Sequence, residues 1–246
     1  MSIAAVRGAI ATIPQEPVLF KETIRANLDP GESCSDAELT AALSKCQMDQ
    51  KIRLKLESGS RATDGDVLGF QVADAGSNFS VGERQLLCLT RAMLRSGCRL
   101  LVMDEATAAV DVEADALIQT AVDDLSAERR LTVITIAHPL HTIMGYDTIL
   151  GMESGRILEH DTPMQLLARP DSLLSGLVGE TDADTQLKLR LKAAAADSQR
   201  SAENAEQKAV TGEVAEAAVK AEQLKRAKQL KRAEQLKRAT QLREAP

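Results

Sequence analysis

The sequence has few aromatic residues: three Phe, one Tyr and no Trp among its 246 residues. A large core must therefore be built from aliphatic side chains. No apolar run approaches the roughly 20 residues that a membrane-spanning helix needs, and the first residues lack the apolar stretch of a secretory signal. The four cysteines show no C-x-x-C spacing, and the three histidines show no metal-ligand pattern. We therefore expect reduced, cytosolic cysteines, one sizeable core and no site in which Cys or His binds a metal.

The most informative stretch contains a short apolar run that ends in two acids. Leu100 to Met103 suits a buried parallel strand, and Asp104 and Glu105 follow at its end. Open α/β sheets bind ligands at the carboxyl edge of their strands. Carboxylates at that edge can hold Mg²⁺ and orient an attacking water. The pattern by itself is equally consistent with an acid that caps the turn from strand to helix.

A capped helix precedes this strand. Ser80 and Glu83 have the spacing of a capping box, with Ser80 as N-cap and Glu83 at N3, and the residues that follow are amphipathic as far as Leu94. A helix start that contains Gly82 also offers free N–H groups to an anion. An ordinary capped helix and a phosphate contact use the same residues here, so these residues alone leave both interpretations open.

Five motifs, in the same order along the chain, resemble those of ATP-binding-cassette proteins and span about its first three-quarters. They are the Q-loop (Ile13 to Phe20), the signature (Phe79 to Glu83), Walker B (Val102 to Glu105), the D-loop (Ala108 to Asp111) and the switch histidine (His138). In addition, the segment from Thr23 to Pro30 is similar to the second cassette of the multidrug-resistance-associated C subfamily.

The resemblance implies a role for each motif, with ATP and Mg²⁺ as the ligands. It implies that Asp104 and Gln15 lie at the metal. It also implies three catalytic residues: Glu105 polarises the attacking water, His138 contacts the γ-phosphate and Gln15 senses the metal and the water. The implied cofactor-binding residues belong to the signature and the D-loop; they are Ser80, Val81, Gly82, Glu83 and Asp111.

One motif of the family is missing. No G-x-x-x-x-G-K-[ST], the loop that cradles the phosphates, occurs in the sequence. In the family this loop lies well before the Q-loop, but only fourteen residues precede Gln15. We therefore expect an N-terminally truncated cassette.

Two local departures from the family pattern also bear on function. Glu83 stands where the signature more often has Gln, and its carboxylate would repel a nearby phosphate. Pro139 replaces a basic residue after His138.

The expected fold is α/β: a P-loop-NTPase-like parallel sheet flanked by helices, with a small helical signature subdomain at about 24–95. We expect it to lack its first strands and its phosphate loop, and to be followed by a helical tail. The partial nucleotide-binding domain is placed at 1–181 and the tail at 182–246.

Local patterns predict the elements around the motifs. Apolar runs predict parallel strands at 9–13 and 131–136, a strand hairpin at 148–159 and a short strand near Val67 and Leu68. Side chains suited to capping predict helix starts at Ser35, Asp111 and Thr162.

The end of the chain differs in composition from the rest. Residues 221–246 contain eight basic and three acidic side chains, a net +5, so that the remainder of the −6 chain carries −11. Leu recurs there every six residues, with an Ala midway between successive Leu residues. Apolar residues spaced three apart drift round the surface of an α-helix, so they do not form the continuous apolar seam of a heptad repeat. We expect a solvated, partly frayed helix or a disordered tail. A dimerising coiled coil, or contact with nucleic acid or acidic lipid, is the less favoured alternative.

The leading functional hypothesis is the later part of the second nucleotide-binding domain of a C-subfamily exporter, at the cytoplasmic face of a membrane. There, ATP hydrolysis drives transport of organic solutes, and the partners are a transmembrane domain and a second nucleotide-binding domain. One alternative is a non-catalytic cassette fragment that acts as a binding or regulatory module; another is the product of an incomplete gene model. The isolated chain is expected to show no ATPase activity, because it lacks the phosphate loop.

Overall fold

The computed structural model describes residues 2–58, 66–107, 110–137 and 139–202. The chain divides into two compact units, 1–143 and 144–246. The first unit contains α1 (Ile3–Ala9), β1 (Ile10–Ile13), α2 (Ile24–Leu28), α3 (Asp36–Lys45), α4 (Met48–Ser58), a 3₁₀ turn (Asp74–Gly76), α5 (Val81–Leu94), β2 (Leu100–Asp104), α6 (Val112–Arg129), β3 (Thr132–Ile136) and α7 (Leu140–Ile143). The second contains β4 (Ile149–Glu153), β5 (Arg156–Asp161), α8 (Pro163–Leu167), α9 (Leu173–Gly179) and helical residues 183–202.

A parallel sheet organises the first unit. Its three strands lie in the order β1-β2-β3, with Ile10 opposite Leu100 and Leu100 opposite Thr132. Parallel strands need helical crossovers. Ile13 of β1 and Leu101 of β2 are buried, whereas Ile134 and Ile136 of β3 are 49% and 56% exposed. The predicted α/β fold, a parallel sheet flanked by helices, is confirmed.

Helix α5 is the centre of the core beside the sheet. It contacts β1, α2, α3, α4 and α6. The six consecutive residues 85–90 are all buried, so the middle of the helix is enclosed on every side; Leu86, Leu87 and Leu89 are fully buried. An aliphatic core of this kind agrees with the scarcity of aromatic residues. The helix therefore fixes the signature at its N-terminus relative to the strands that carry the acids.

The predicted helix starts are present. Ser35 caps α3 in a reciprocal capping box with Glu38, and Asp111 caps α6 by accepting from the Ala114 N–H at 2.9 Å. Thr162 caps α8, whose first residue is Pro163. In each cap a side chain accepts from the backbone N–H three residues further on, which is why the local sequence suffices to predict them.

The strand predicted near Val67 and Leu68 is wrong. The segment turns, and the Leu68 N–H donates to Asp66 Oδ1 at 3.0 Å. The carbonyl groups of Leu68 and Phe70 accept from the first N–H groups of α2. Val67 and Leu68 are buried as predicted for apolar residues. Their carbonyl groups do not join a strand ladder: that of Leu68 accepts from the start of α2, and that of Val67 accepts from the Phe70 N–H at 3.4 Å.

The second unit is built on an antiparallel hairpin, as predicted. Strands β4 and β5 are joined by Ser154 and Gly155, both with positive φ, which suits a tight two-residue turn. Helical residues 183–202 bury Leu189 and Ala193. The six-residue repeat of 221–246 lies outside the described residues. Within the described part of the chain, no helix is long and apolar enough to span a membrane.

The cysteines are free thiols, as predicted, and three of the four are buried. Burial raises the pKa of the Cys46 and Cys88 thiols above the ordinary value. The Cys46 thiol lies 3.5 Å from Met93 Sδ within the core. These thiols therefore act as small apolar core groups.

One loop contains a carboxylate whose ionisation stabilises the fold. Asp29 accepts hydrogen bonds from the Cys34 N–H at 2.6 Å and the Ser33 hydroxyl at 3.0 Å. The Cys34 N–H is the main cause, with Ser33, of a lowered pKa of Asp29, against the opposing effect of burial. The folded pKa lies below the unfolded one, so this stabilisation is present above the unfolded value and is lost as pH falls through the folded value.

We predict that replacing Asp29→Asn makes the unfolding midpoint less sensitive to acid. Between about pH 5 and pH 3, the midpoint of the unmodified chain should fall more steeply than that of the variant, because the variant has no carboxylate to lose at position 29 while the other carboxylates are common to both. Thermal unfolding at a series of pH values measures this. Parallel curves for the two proteins would contradict the prediction.

Candidate active site

The two predicted acids and the predicted glutamine lie at the carboxyl edge of the sheet, and Gln15 contacts Glu105. Asp104 is the last residue of β2, and Glu105 follows it. Gln15 lies two residues beyond the end of β1, which pairs with β2. Its Nε2 donates a hydrogen bond of 2.7 Å to Glu105 Oε2. Residues 90 positions apart in sequence therefore form one polar cluster, because parallel neighbours end at the same edge.

The backbone of Glu105 holds its side chain in place. Glu105 has φ 45°, a left-handed conformation that is uncommon for a residue other than glycine. Its N–H donates to the Ile136 carbonyl at 2.8 Å. Asp104 is paired with the same Ile136 in the sheet. The turn thus extends the β2–β3 pairing by one backbone hydrogen bond. A residue other than glycine with positive φ is often found at functional sites.

The cluster has the oxygen donors that suit Mg²⁺. Asp104 is exposed and offers a carboxylate, and the side-chain carbonyl of Gln15 is a second oxygen donor. No group of three or more His, Cys, Asp or Glu side chains in the described residues could hold a metal ion alone. Magnesium usually binds one or two protein oxygens and completes its shell with phosphate and water oxygens. The cluster fits that pattern.

The predicted switch histidine, His138, lies outside the described residues. The chain beyond it is described: the Pro139 carbonyl accepts from the Thr142 N–H at 3.1 Å, which starts α7. Pro139 thus precedes a helix, a place where its missing N–H leaves no bond unmade. His141 Nε2 lies 2.9 Å from Asp115 Oδ2 and links α7 to α6. No motif in the sequence pointed to His141.

The signature residues form the start of α5. Ser80 Oγ accepts from the Glu83 N–H at 3.2 Å, and Glu83 Oε2 accepts from the Ser80 N–H at 2.8 Å. This is the predicted capping box. The N–H groups of Val81 and Gly82 have no acceptor inside the helix, since the first turn leaves such groups free. Ser80 is exposed, and its hydroxyl can still donate a proton to an anion.

Gly82 has a packing role that the sequence did not indicate. It is buried, and a Cβ at this position would lie 2.6 Å from Ala114 Cβ and 3.0 Å from Val110 Cγ1. The start of α5 therefore packs directly on the start of α6. Asp111, the cap of α6, has its Oδ2 3.9 Å from the same Cβ position. The predicted cofactor-binding residues of signature and D-loop are thus neighbours within one chain, and Ser80 and Asp111 are the exposed ones among them.

Comparison with known proteins accounts for this arrangement. Residues 1–108 match the family model described as ABC transporter. This chain carries an ABC transporter domain. It is 46% identical over 172 residues to a probable multidrug resistance-associated protein, lethal(2)03659, of Drosophila melanogaster, a match that covers 70% of this chain and 12% of that protein. It is 43% identical over 184 residues to ABC transporter C family member 12 of Dictyostelium discoideum, covering 75% of this chain and 13% of that protein.

A solved structure shares the fold. A bacterial Atm1-family ABC exporter with ATP bound superposes with a TM-score of 0.61 and 29% identity, over 72% of this chain and 29% of that chain. The resemblance to the ABC family and its C subfamily is confirmed. The chain spans only about an eighth of the curated relatives named above.

Gln85 joins the two halves of the ABC transporter domain's site, although no motif predicted it. It lies on α5 and is 2% exposed. Its Nε2 donates to the carbonyl groups of Pro14 and Gln15, each at 3.0 Å. The signature helix therefore holds the backbone of the Q-loop directly. This contact joins residues 70 positions apart, a separation at which local sequence carries no signal.

A groove of about 840 Å³ lies elsewhere in the first unit. It runs between α1, β1 and α5, and its lining includes Val18, Phe20, Cys34, Arg91 and Arg95. Arg91 is not free within it, because its guanidinium donates to the Asn27 carbonyl, to Asn27 Oδ1 and to the Val18 carbonyl. None of the predicted site residues lines this groove.

We predict that Gly82→Ala destabilises the domain. The added methyl group meets Ala114 Cβ and Val110, neither of which is the flexible end of a long side chain; overpacking of this kind costs about 1–3 kcal/mol. Urea unfolding should show that loss, and Ala114→Gly in the same chain should recover part of it. Gly176→Ala is the matched control, because nothing lies within 4 Å of its Cβ position. A loss at position 176 equal to that at 82 would contradict the packing role.

We predict that Gln85→Leu destabilises the first unit by about 1–3 kcal/mol, because it leaves the Pro14 and Gln15 carbonyl groups without a donor. Gln119→Leu is the control: Gln119 Nε2 is buried and makes no hydrogen bond in the described structure. That change should be near neutral in urea unfolding. Equal losses from the two substitutions would show that the Gln85 contacts contribute nothing of their own.

Proposed function

We propose that this chain forms the later part of an ATPase domain of a C-family ABC exporter, which couples ATP binding and hydrolysis to transport of organic solutes. The ligands are ATP and Mg²⁺, and the domain lies at the cytoplasmic face of a membrane. A transmembrane domain and a second nucleotide-binding domain are the partners. The ABC family membership and the exporter homologues support this function.

The observation that carries the proposal is the hydrogen bond between Gln15 Nε2 and Glu105 Oε2. It directs the Glu105 carboxylate and the remaining oxygen of Gln15 to the same edge as Asp104. Asp104 and the Gln15 carbonyl would hold Mg²⁺. When bound, this ion would neutralise negative charge on the phosphate oxygens during phosphoryl transfer. Glu105 accepts a proton from the attacking water, and the Gln15 contact keeps its carboxylate in position for this. His138 is assigned to the γ-phosphate from the motif alone.

The signature serves a second nucleotide. The Ser80 hydroxyl and the N–H groups of Val81 and Gly82 would contact the phosphates of ATP held by the partner domain, at the positive end of α5. Glu83 holds this helix start by its capping box, and Asp111 holds the neighbouring start of α6. Gln85 connects this surface to the Q-loop backbone. Through this contact, a movement of the Q-loop at one nucleotide would shift the signature helix at the other.

A second candidate function is a binding or regulatory module that hydrolyses nothing itself. The observation in its favour is that no G-x-x-x-x-G-K-[ST] occurs in the 246 residues. Backbone N–H groups and a Lys of that loop normally hold the phosphates. Such a module would offer its signature and Q-loop to another cassette or to a membrane domain.

We predict that the 246-residue chain alone shows no ATPase activity above background. If genomic DNA upstream of Met1 encodes the phosphate loop in frame, the longer protein should hydrolyse ATP. Glu105→Gln should then lower its turnover by about 10²-fold or more, the contribution typical of a general base. A phosphate-release assay with purified proteins measures both.

Glu105→Gln is a suitable test because the Gln carbonyl can still accept from Gln15 while it cannot take a proton. Equal unfolding midpoints for the two proteins provide the control. Robust turnover by the 246-residue chain that Glu105→Gln abolishes would contradict the need for a phosphate loop. Unchanged turnover of the longer protein would contradict the role of Glu105. A promoter and stop codon directly upstream of Met1 would favour the module.

A further inference from the structure

Two carboxylates, one from the signature and one from the D-loop, lie near the start of α5. Glu83 occupies the third position of α5. A second carboxylate is close by, because Asp111 Oδ2 lies 3.9 Å from the Cβ position of Gly82. Two like charges beside the free N–H groups of a helix start repel an incoming phosphate. A compensating cation is therefore expected if these groups bind a nucleotide.

Lys55 supplies that cation from a different helix. It lies on α4, and its Nζ is 3.1 Å from Glu83 Oε2. The two side chains are 31% and 14% exposed, so the pair is partly shielded from water and is less screened than an ordinary surface ion pair. Lys55 Nζ also lies 5.2 Å from the centre of the Phe79 ring, a favourable cation–π distance.

The pairing uses the same carboxylate oxygen as the capping box. Glu83 Oε2 accepts from the Ser80 N–H at 2.8 Å and contacts Lys55 Nζ. The Glu83 carboxylate thus faces the Ser80 N–H and Lys55 of α4, and the Lys55 ammonium group compensates its negative charge. Phe79, the other neighbour of the Lys55 ammonium group, is buried and packs edge-on against Phe70, with ring centres 5.6 Å apart. The ammonium group therefore has a defined position.

We propose that Lys55 is a positioning residue of the signature. It neutralises Glu83 and holds it in the capping geometry, so that the Ser80 hydroxyl and the Val81 N–H can receive a phosphate group of a nucleotide. This inference rests on the proposed function of the signature and adds a residue about 25 positions upstream of it. It also implies that the requirement for Lys55 exists only because position 83 is Glu: a neutral Gln there would need no counter-ion.

The test is a double-mutant cycle read out by anion binding. The ¹⁵N-labelled 246-residue chain is titrated with inorganic tripolyphosphate at constant ionic strength, and the amide signals of Val81 and Gly82 are followed by NMR. Four proteins are compared: unmodified, Lys55→Met, Glu83→Gln and the double variant. We expect Lys55→Met to weaken binding about threefold, a typical effect of one charge at a helix N-terminus. In the Glu83→Gln chain, the same substitution should change nothing. Lys55→Arg should keep the unmodified affinity.

Each other result has a definite meaning. If Lys55→Met weakens binding equally in both backgrounds, so that Glu83→Gln restores nothing, Lys55 acts independently of Glu83, by contact with the anion or through local folding. The positioning role is then overturned, and the proposed function is unaffected. Unfolding midpoints of the four proteins separate the two causes: an unchanged midpoint indicates direct contact, and a lowered one indicates local folding. If the Val81 and Gly82 signals of the unmodified chain do not respond to tripolyphosphate, the signature part of the proposed function fails and this inference fails with it.

Discussion

The pairing of β2 with a parallel neighbour on each side is the constraint on which the site depends. Pairing with β1 brings Gln15 to Glu105, and pairing with β3 extends into the bond between the Glu105 N–H and the Ile136 carbonyl. The acid is thus held from two sides, by its side chain and by its backbone. Neither contact would exist if a strand were shifted by one residue, since such a shift turns every side chain to the other face.

A second constraint acts between helices. The starts of α5 and α6 touch through Gly82 and Ala114, with no room for a further methyl group. From the same helix α5, Gln85 reaches the backbone of the Q-loop. Signature, D-loop and Q-loop are therefore parts of one packed assembly. In the proposed function, such links are a physical means by which events at one phosphate group alter another surface.

The sequence predicted the features that local spacing determines. Capping boxes at Ser35 and Ser80, the cap at Asp111 and the two acids after β2 depend on residues a few positions apart, and all are found where they were expected. The short strand near Val67 and Leu68 was wrong for an instructive reason. Apolar residues indicate burial, but burial alone does not say whether the backbone pairs with a strand or satisfies a helix start.

Contacts between distant segments were beyond prediction from a single sequence. Gln85 and Lys55 carry no motif, and their partners are known only once the fold brings α5 and α4 into position. The family resemblance indicated Gly82 as a cofactor-binding residue, whereas the structure shows that its missing side chain is first of all needed for packing on Ala114. The ion pair of Lys55 with Glu83 likewise explains how an acid can stand where Gln is more usual.

The central claim is that Gln15, Asp104 and Glu105 face one common space at the edge of the sheet. Paramagnetic broadening by Mn²⁺, added together with ATP as a substitute for Mg²⁺, tests it directly when the side-chain amide signal of Gln15 is observed by NMR. The signal should broaden in the unmodified chain and in Glu105→Gln, and should stay sharp in Asp104→Asn, because Asp104 supplies the carboxylate ligand. The claim would be contradicted if the Gln15 side-chain amide signal still broadened in Asp104→Asn. It would also be contradicted if that signal stayed sharp in the unmodified chain.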